Sequence, residues 1–266
     1  MTIMDTVRFT AGEPAVSITR VEPGLWQALD DGRLAGRAEA TTRPDGRVFL
    51  SVDAWHRSVF DQLAREMLAA LPDPLHTVVD ETDRELLEGW QRAGLTVRRR
   101  EWEYVVPTDP HVTGPVVLPP GVTVVPAGSA DEGPLRELDR VVRAEVEASV
   151  GWSEMPAEVL PRLADDTIVD PSKYAVAVED GEYVGLLRVV QVTRLPRIGL
   201  IAVRADRQRR GIARGLLLNT LGILHRAGIP TASAEVNEAN EAATALFEGI
   251  GARRANSTVE LMRNGR

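Results

Sequence analysis

The stretch "AVRADRQRRGIARGLL", residues 202–217, is the most informative part of this sequence for predicting the fold. An apolar, strand-like run, "IGLIAV" at 198–203, leads into it, and its end opens an amphipathic, helix-like run. Gly211 lies where that helix is predicted to begin. The first turn of a helix leaves about four backbone amides unpaired and carries about half a positive charge. A strand, a tight turn and a helix start in this order therefore predict a binding site for an anion such as a pyrophosphate.

The residues around the turn suit such an anion. Gly211 and Ala213 are small enough to let it approach the backbone, and Arg209, Arg210 and Arg214 add positive charge. The turn carries neither the GxxxxGK[ST] pattern of a P-loop nor the GxGxxG pattern of a dinucleotide-binding Rossmann fold. Both of those phosphate-binding folds are therefore disfavoured.

Two motifs in order resemble the GNAT acyltransferase superfamily. Gln208-x-x-Gly211-x-Ala213, with Val203 on the preceding strand, is similar to the acyl-CoA loop of that family. Asn240-x-x-Ala243-x-x-Leu246-Phe247-x-x-x-Gly251-Ala252 resembles the family's N-x-x-A-x-x-L-Y-x-x-x-G-F block. The chain departs from the family at Ala205, where proline is common, and at Phe247, where tyrosine is usual. The resemblance covers about residues 121–263.

The resemblance implies a mixed α/β GNAT fold and acetyl-CoA as co-substrate, with no metal. Backbone amides of the loop would hold the CoA pyrophosphate, and the strand before it would splay from its neighbour and pair with the pantetheine arm. Asn240 fits a role near the pantetheine and equally fits a simple helix cap. By position, the implied acyl-CoA site comprises Ile201, Ala202, Val203, Gln208, Arg209, Arg210, Gly211, Ile212, Ala213, Arg214, Asn240 and Phe247.

The implied reaction is direct transfer of an acetyl group to a primary amine. The backbone amide of Val203 matches the family's oxyanion donor, whereas Phe247 cannot replace the usual tyrosine as a proton donor. Two carboxylates are candidate bases: Glu235 on the next strand, and Glu154 in the loop "GWSEMP". Because the chain has no cysteine, an acyl-cysteine intermediate is excluded. A non-catalytic acyl-CoA-binding sensor or regulatory module is the alternative hypothesis.

Composition narrows the partners of the protein. The chain has 266 residues and a net charge of −8, which argues against non-specific binding of nucleic acid. It shows neither a signal peptide nor an apolar run long enough for a membrane helix, so a cytoplasmic location is expected. The acceptor is expected to be a small molecule or a protein amino group, and the protein a monomer or homodimer.

The chain also looks internally duplicated. "LWQALDDGRLAG" from Leu25 and "YAVAVEDGEYVG" from Tyr174 both read as a strand, an Asp-Gly hairpin turn and a strand. We predict tandem GNAT-like domains, with a truncated, degenerate copy at 1–106, a proline-rich linker at 107–120 and the motif-bearing domain at 121–266. The turn "DAWHRS" of the first copy has no glycine, so we expect that copy to bind no CoA.

Overall fold

A computed structural model describes residues 16–43, 45–149, 151, 169–192 and 195–265. The first half of the chain is mostly strands, with two helices near its end. Its elements are β1 (Ser17–Glu22), β2 (Leu25–Asp30), β3 (Arg33–Thr42), β4 (Val48–Ala54), α1 (Arg57–Ala70), β5 (Leu75–Asp80), α2 (Arg84–Arg92) and β6 (Thr96–Pro107).

The second half repeats this order with an additional helix after its first strand. Its elements, after the one-turn helix α3 (Pro110–Thr113), are β7 (Val122–Val125), α4 (Glu132–Glu147), β8 (Tyr174–Glu179), β9 (Glu182–Val192), β10 (Leu195–Val203), α5 (Ile212–Arg226), β11 (Thr231–Asn237), α6 (Glu241–Glu248) and β12 (Arg253–Arg263). The predicted mixed α/β fold is confirmed. The sequence also predicts a helix or loop at about 155–166, and these residues lie outside the described part of the chain.

The twelve strands of the described residues form one sheet, in the order β1-β2-β3-β4-β5-β12-β6-β11-β10-β9-β8-β7. Each half supplies five strands to its own side and places its last strand inside the other half. Strand β12 therefore pairs with both β5 and β6, and β6 pairs with both β12 and β11. We call β6 and β12 the central strand pair. The predicted domain boundaries follow the chain, whereas the sheet interleaves strands from either side of them.

The sheet has two faces with different cover. Helices α5 and α6 pack on a core that includes Tyr104, Leu216 and Phe247, and α1 packs on a second core with Leu63 and Val259. Both cores lie on the same face of the sheet. Trp102 faces the first core, and its register partner Ser257 therefore faces the same way. Val259 of the second core is two residues further along β12, so its side chain points to that face as well. We call this the α5 face. Helix α4 covers part of the opposite face, which we call the α4 face.

Helix α4 matches the apolar periodicity of its sequence. Leu135, Leu138 and Val142 are buried against strands of the second half, and Val146 is partly buried beside them. The three earlier side chains repeat at spacings of three and four residues, which places them on one side of a helix. This helix is what the first half lacks between its own first two strands, since β1 and β2 are joined by a tight turn.

Both predicted Asp-Gly hairpins are present. Asp31 and Gly32 have φ of 47° and 75°, and Asp180 and Gly181 have φ of 51° and 80°. Positive φ at both central residues matches the right-handed twist of the flanking strands. The proline-rich segment after β6 contains the helical turn α3, with Pro110 in its first turn. A proline is tolerated there because the first amides of a helix have no hydrogen-bond partner within the helix. None of the described helices is long and apolar enough to cross a membrane.

Candidate active site

Two neighbouring strands of the second half separate where the loop motif begins. The described part of β10 pairs with β11 in parallel at two positions, Arg197–Ser233 and Ile198–Ala234. Beyond them β10 continues to Val203 paired with β9, while β11 continues to Asn237 paired with β6. The two strands therefore splay, leaving one edge of each without a strand partner, as the family resemblance implies for a pantetheine-binding groove.

The backbone of β10 presents donors to this splay. Arg204 donates its amide to the carbonyl of Val184 on β9 at 3.0 Å. Because successive amides along a strand point to alternate edges, the amide of Val203 points to the opposite edge, into the splay. The side-chain amide of Gln208 donates to the Val203 carbonyl at 3.0 Å, which anchors the loop to the end of the strand.

The loop between β10 and α5 leaves several amides free. The first backbone hydrogen bond of α5 runs from the Gly215 amide to the Gly211 carbonyl at 2.9 Å. Within the described part of the chain, none of the amides from residue 209 to residue 214 donates to another backbone group. Arg209 and Gly211 have left-handed φ of 62° and 89°, an alternation that turns successive amides toward one point. This is the geometry of an anion cradle at a helix start.

The cradle is open to solvent. A Cβ built on Gly211 would meet no atom within 4 Å, so the space above its amide is free for a ligand. Ala213 is partly buried and packs against the core, and Ile212 is fully buried. These residues therefore fit a pyrophosphate held by backbone amides.

The arginines of the motif have different partners. Arg210 donates to Glu179 at 3.0 Å, and Arg207 lies 2.9 Å from the same carboxylate. The Arg210 hydrogen bond is the main cause that lowers the pKa of Glu179 below its ordinary value. Arg214 donates to the carbonyls of Gly249 and Thr113, at 3.0 and 3.5 Å, and so ties α5 to α6 and to α3.

Arg209 is the arginine left for a ligand. It is exposed, and no ion pair or hydrogen bond of its side chain is found among the described residues. Glu145 of α4 also supports the loop, since it accepts the Ala205 amide at 3.0 Å. Glu145 and Glu179 were not predicted, because each is far from the motif in sequence and neither stands in a recognisable pattern.

Asn240 and Phe247 lie on the helix after the splay. The Asn240 side chain accepts the Ala243 amide at 3.0 Å and therefore caps α6, so the helix-cap role is observed. Phe247 is buried in the core and stacks on Tyr104, with ring centroids 5.8 Å apart. The Tyr104 hydroxyl donates to Glu248 at 3.1 Å, so it is committed elsewhere.

The two candidate bases differ in what the structure says of them. Glu235 lies on β11 at the splay, with its side chain on the α4 face, and Arg197 donates to it at 2.8 Å. Glu154 lies outside the described residues. The base assignment of both residues stays a prediction.

The part of the chain that holds this site is similar to known proteins. Residues 138–252, which contain the last ten residues of α4, the splay, the loop and α6, match the model of the acetyltransferase (GNAT) family. The second half of the chain therefore contains a region that matches this family, and we call this half the GNAT domain. A stretch of 86 residues is 35% identical to mycothiol acetyltransferase of Streptomyces coelicolor, covering 31% of this chain and 27% of that protein. The chain thus spans about a quarter of the length of this curated relative.

Solved structures extend the likeness to the whole chain. A GCN5-related N-acetyltransferase from Sphaerobacter thermophilus superposes with a TM-score of 0.65 at 17% identity, over 92% of this chain and 82% of that one. A tandem GNAT protein from the clavulanic acid biosynthesis pathway gives 0.63 at 16% identity, over 95% and 85%. At this identity the likeness concerns the fold, and it confirms the predicted tandem GNAT architecture.

The first half has the same splay without the cradle. Strands β4 and β5 pair in parallel at Val48–Leu75 and Phe49–His76 and then separate. The Thr77 hydroxyl donates to the Leu50 carbonyl at 2.9 Å across the gap. Two residues, Trp55 and His56, join β4 to α1, where the GNAT domain has eight between β10 and α5.

The groove at this place in the first half is also unsuited to phosphate. Three carboxylates, those of Asp53, Asp83 and Glu85, line it together with cationic and apolar side chains. His56, at the helix start, is exposed and makes no capping hydrogen bond. These features agree with the expectation that the first half binds no CoA, which stays a prediction.

Proposed function

We propose that this protein is an N-acetyltransferase that moves the acetyl group of acetyl-CoA to the primary amine of an acceptor. The reaction would take place in the GNAT domain. The observation that carries the proposal is the splay of β10 and β11 beside a loop whose amides, from residue 209 to residue 214, have no backbone partner. Acetyl-CoA needs both features, an anion cradle for its pyrophosphate and a free strand edge for its amide-containing arm.

The reaction fits a direct displacement. The lone pair of the neutral amine attacks the thioester carbon, the C–N bond forms, and the C–S bond breaks with its electron pair left on sulfur. The amine loses one proton, and the thiolate leaves as such or takes up a proton from solvent. We assign the stabilisation of the oxyanion to the Val203 amide, and its direction into the splay supports this role. Glu235 is the described candidate for accepting the proton of the amine.

One observation favours the alternative of a non-catalytic acyl-CoA-binding module. Phe247 carries no hydroxyl and is buried against Tyr104, so it supplies no proton to the leaving thiolate. A thiolate is a good leaving group, however, and leaves without general-acid help. We therefore favour the enzyme over the binding module.

Calorimetry and a thiol-release assay test the proposal together. We expect saturable binding of acetyl-CoA at one site per chain, and amine-dependent release of free thiol. Two sites per chain would contradict the assignment of the first half as non-binding. Binding without thiol release across a broad amine panel would favour the sensor or regulatory module, and absence of binding would overturn both.

A further inference from the structure

The central strand pair brings a residue of the first half beside the site of the GNAT domain. Strand β6 is the neighbour of β11, and Glu103 of β6 is paired directly with Glu235 of β11. Directly paired residues of antiparallel strands have Cβ atoms about 4.5–5.5 Å apart, and their side chains lie on the same face of the sheet. The first half therefore contributes to the surface that borders the splay.

Burial places both carboxylates on the α4 face. On β6, the neighbours of Glu103 are Trp102 and Tyr104, which pack into the core of the α5 face. On β11, the neighbours of Glu235 are Ala234 and Val236, which belong to the same core. Side chains alternate along a strand, so Glu103 and Glu235 stand on the opposite face, where both are exposed.

The two carboxylates differ in their partners. Arg197 donates to Glu235 at 2.8 Å, and Arg99 pairs with Glu101, two residues from Glu103, at 3.1 Å. For Glu103 no ion pair or hydrogen bond occurs among the described residues. One carboxylate of the pair is thus neutralised and the other is left without a cation.

On its other flank Glu103 has no cation directly opposite, and Arg253 of β12, which pairs with Val105, makes no ion pair with it among the described residues. The register partner of Glu103 on β12 is Asn256, whose side-chain amide donates to Asp80. Because Arg197 already pairs with Glu235, a cation bound beside Glu103 would neutralise the second carboxylate of the pair. The splay and the loop define where the thioester lies, and Glu103 stands one strand away from that edge.

We propose that Glu103 binds the ammonium group of the acceptor, so that the first half completes the acceptor side of the GNAT domain's site. The inference rests on the proposed function. It assigns the acceptor to one chemical class, a primary amine that binds as a cation. Glu103 holds the cation near the splay. The ammonium gives one proton to solvent and attacks as the neutral amine, which then loses its second proton as described above.

Three variants, the wild type and four amines test this assignment. Thiol release is followed at saturating acetyl-CoA with spermidine, lysine, glucosamine and tyramine as acceptors. The proteins are the wild type, Glu103→Gln, Glu103→Asp and Glu101→Gln. The last is a matched control, because it removes the same charge from the same strand and face at a carboxylate already paired with Arg99.

We expect Glu103→Gln to raise the acceptor KM about tenfold, because the variant loses a charge-assisted hydrogen bond to the ammonium group. The kcat and the affinity for acetyl-CoA should stay within about twofold of the wild-type values. Glu103→Asp restores part of the acceptor affinity, and Glu101→Gln leaves it near wild type. The unchanged affinity for acetyl-CoA shows that each variant is folded.

Two results would overturn the assignment and leave the acetyl-CoA site standing. One is an acceptor KM for Glu103→Gln equal to that of Glu101→Gln. The other is a wild-type protein that binds acetyl-CoA and acetylates none of the four cations. A wild-type protein that fails to bind acetyl-CoA would instead overturn the proposed function itself.

Discussion

Gly211 shows how a single residue combines two requirements of the loop. Its φ of 89° lies in the left-handed region, which side-chain-bearing residues adopt at a cost of about 1–2 kcal/mol. The space above it is empty, so a side chain added there would meet no protein atom within 4 Å. The side chain would instead occupy the volume above the amides. A side chain at this position should therefore have two effects that can be measured separately: backbone strain lowers the stability of the fold, and obstruction of the amides lowers the affinity for the ligand.

We expect Gly211→Leu to lower the affinity for acetyl-CoA at least about tenfold, because the leucine covers the amides that would hold pyrophosphate. Isothermal titration calorimetry measures this. Gly32→Leu is the control, since Gly32 has φ of 75° and equally open surroundings in a first-half hairpin. It should lose a similar amount of thermal stability and keep its affinity. Unchanged affinity in Gly211→Leu would mean that the loop is not the cofactor cradle.

At the scale of elements, β12 is held in the first half by a buried charge cluster on the α4 face. Glu260 is 4% exposed, and its carboxylate lies 2.9 Å from the His76 ring nitrogen Nδ1 and 2.8 Å from Arg99. Burial alone would raise the pKa of Glu260. The His76 hydrogen bond and the charges of Arg99, Arg98 and Arg47 outweigh it and lower the pKa to about 2.

This shift predicts how stability depends on pH. A carboxyl whose pKa is lower in the folded state stabilises the fold above its unfolded value of 4.5, and this stabilisation is lost as the pH falls toward about 2. We expect Glu260→Gln to reduce the free energy of unfolding by about 3 kcal/mol at pH 7, with the difference shrinking between about pH 4.5 and pH 2.

Urea denaturation across that pH range measures the effect. Glu66→Gln, an exposed position on α1, is the control and should differ from wild type by less than about 0.5 kcal/mol. A constant difference between Glu260→Gln and wild type at every pH would contradict the electrostatic account, because a packing defect does not titrate.

For the whole molecule, the interleaved sheet makes the two halves depend on each other. Strand β6 has both of its partners, β11 and β12, in the second half, and β12 pairs with β5 as well as β6. If either half were removed, the edges of the remaining strands and the core around Val259 and Leu261 would be exposed.

We expect a chain cut within the segment after α3 to stay assembled. A protease site inserted between Gly114 and Pro115, next to exposed residues, allows the cut after folding. The two fragments should coelute in gel filtration and keep their affinity for acetyl-CoA, whereas either fragment expressed alone should be insoluble. Separation of the fragments under native conditions would contradict this account.

Local features of the protein follow from its sequence without knowledge of the fold. The Asp-Gly hairpins, the apolar face of α4, the glycine at the start of α5 and the asparagine cap of α6 follow from neighbours a few residues apart. The physical reason is that positive φ, helix periodicity and capping hydrogen bonds are set within one turn of chain. The loop motif and the Asn240 block are local in the same sense, and together they carried the resemblance that predicted the GNAT fold.

The pairing of distant strands, in contrast, is visible only in the folded chain. The central strand pair joins residues far apart in sequence, and no local pattern distinguishes β6 beside β11 from β6 beside β5. Strand pairing depends on which edges and apolar faces the whole sheet leaves to be covered. For the same reason the pairing of Arg210 with Glu179, and the place of Glu103 beside Glu235, became visible only in the folded chain.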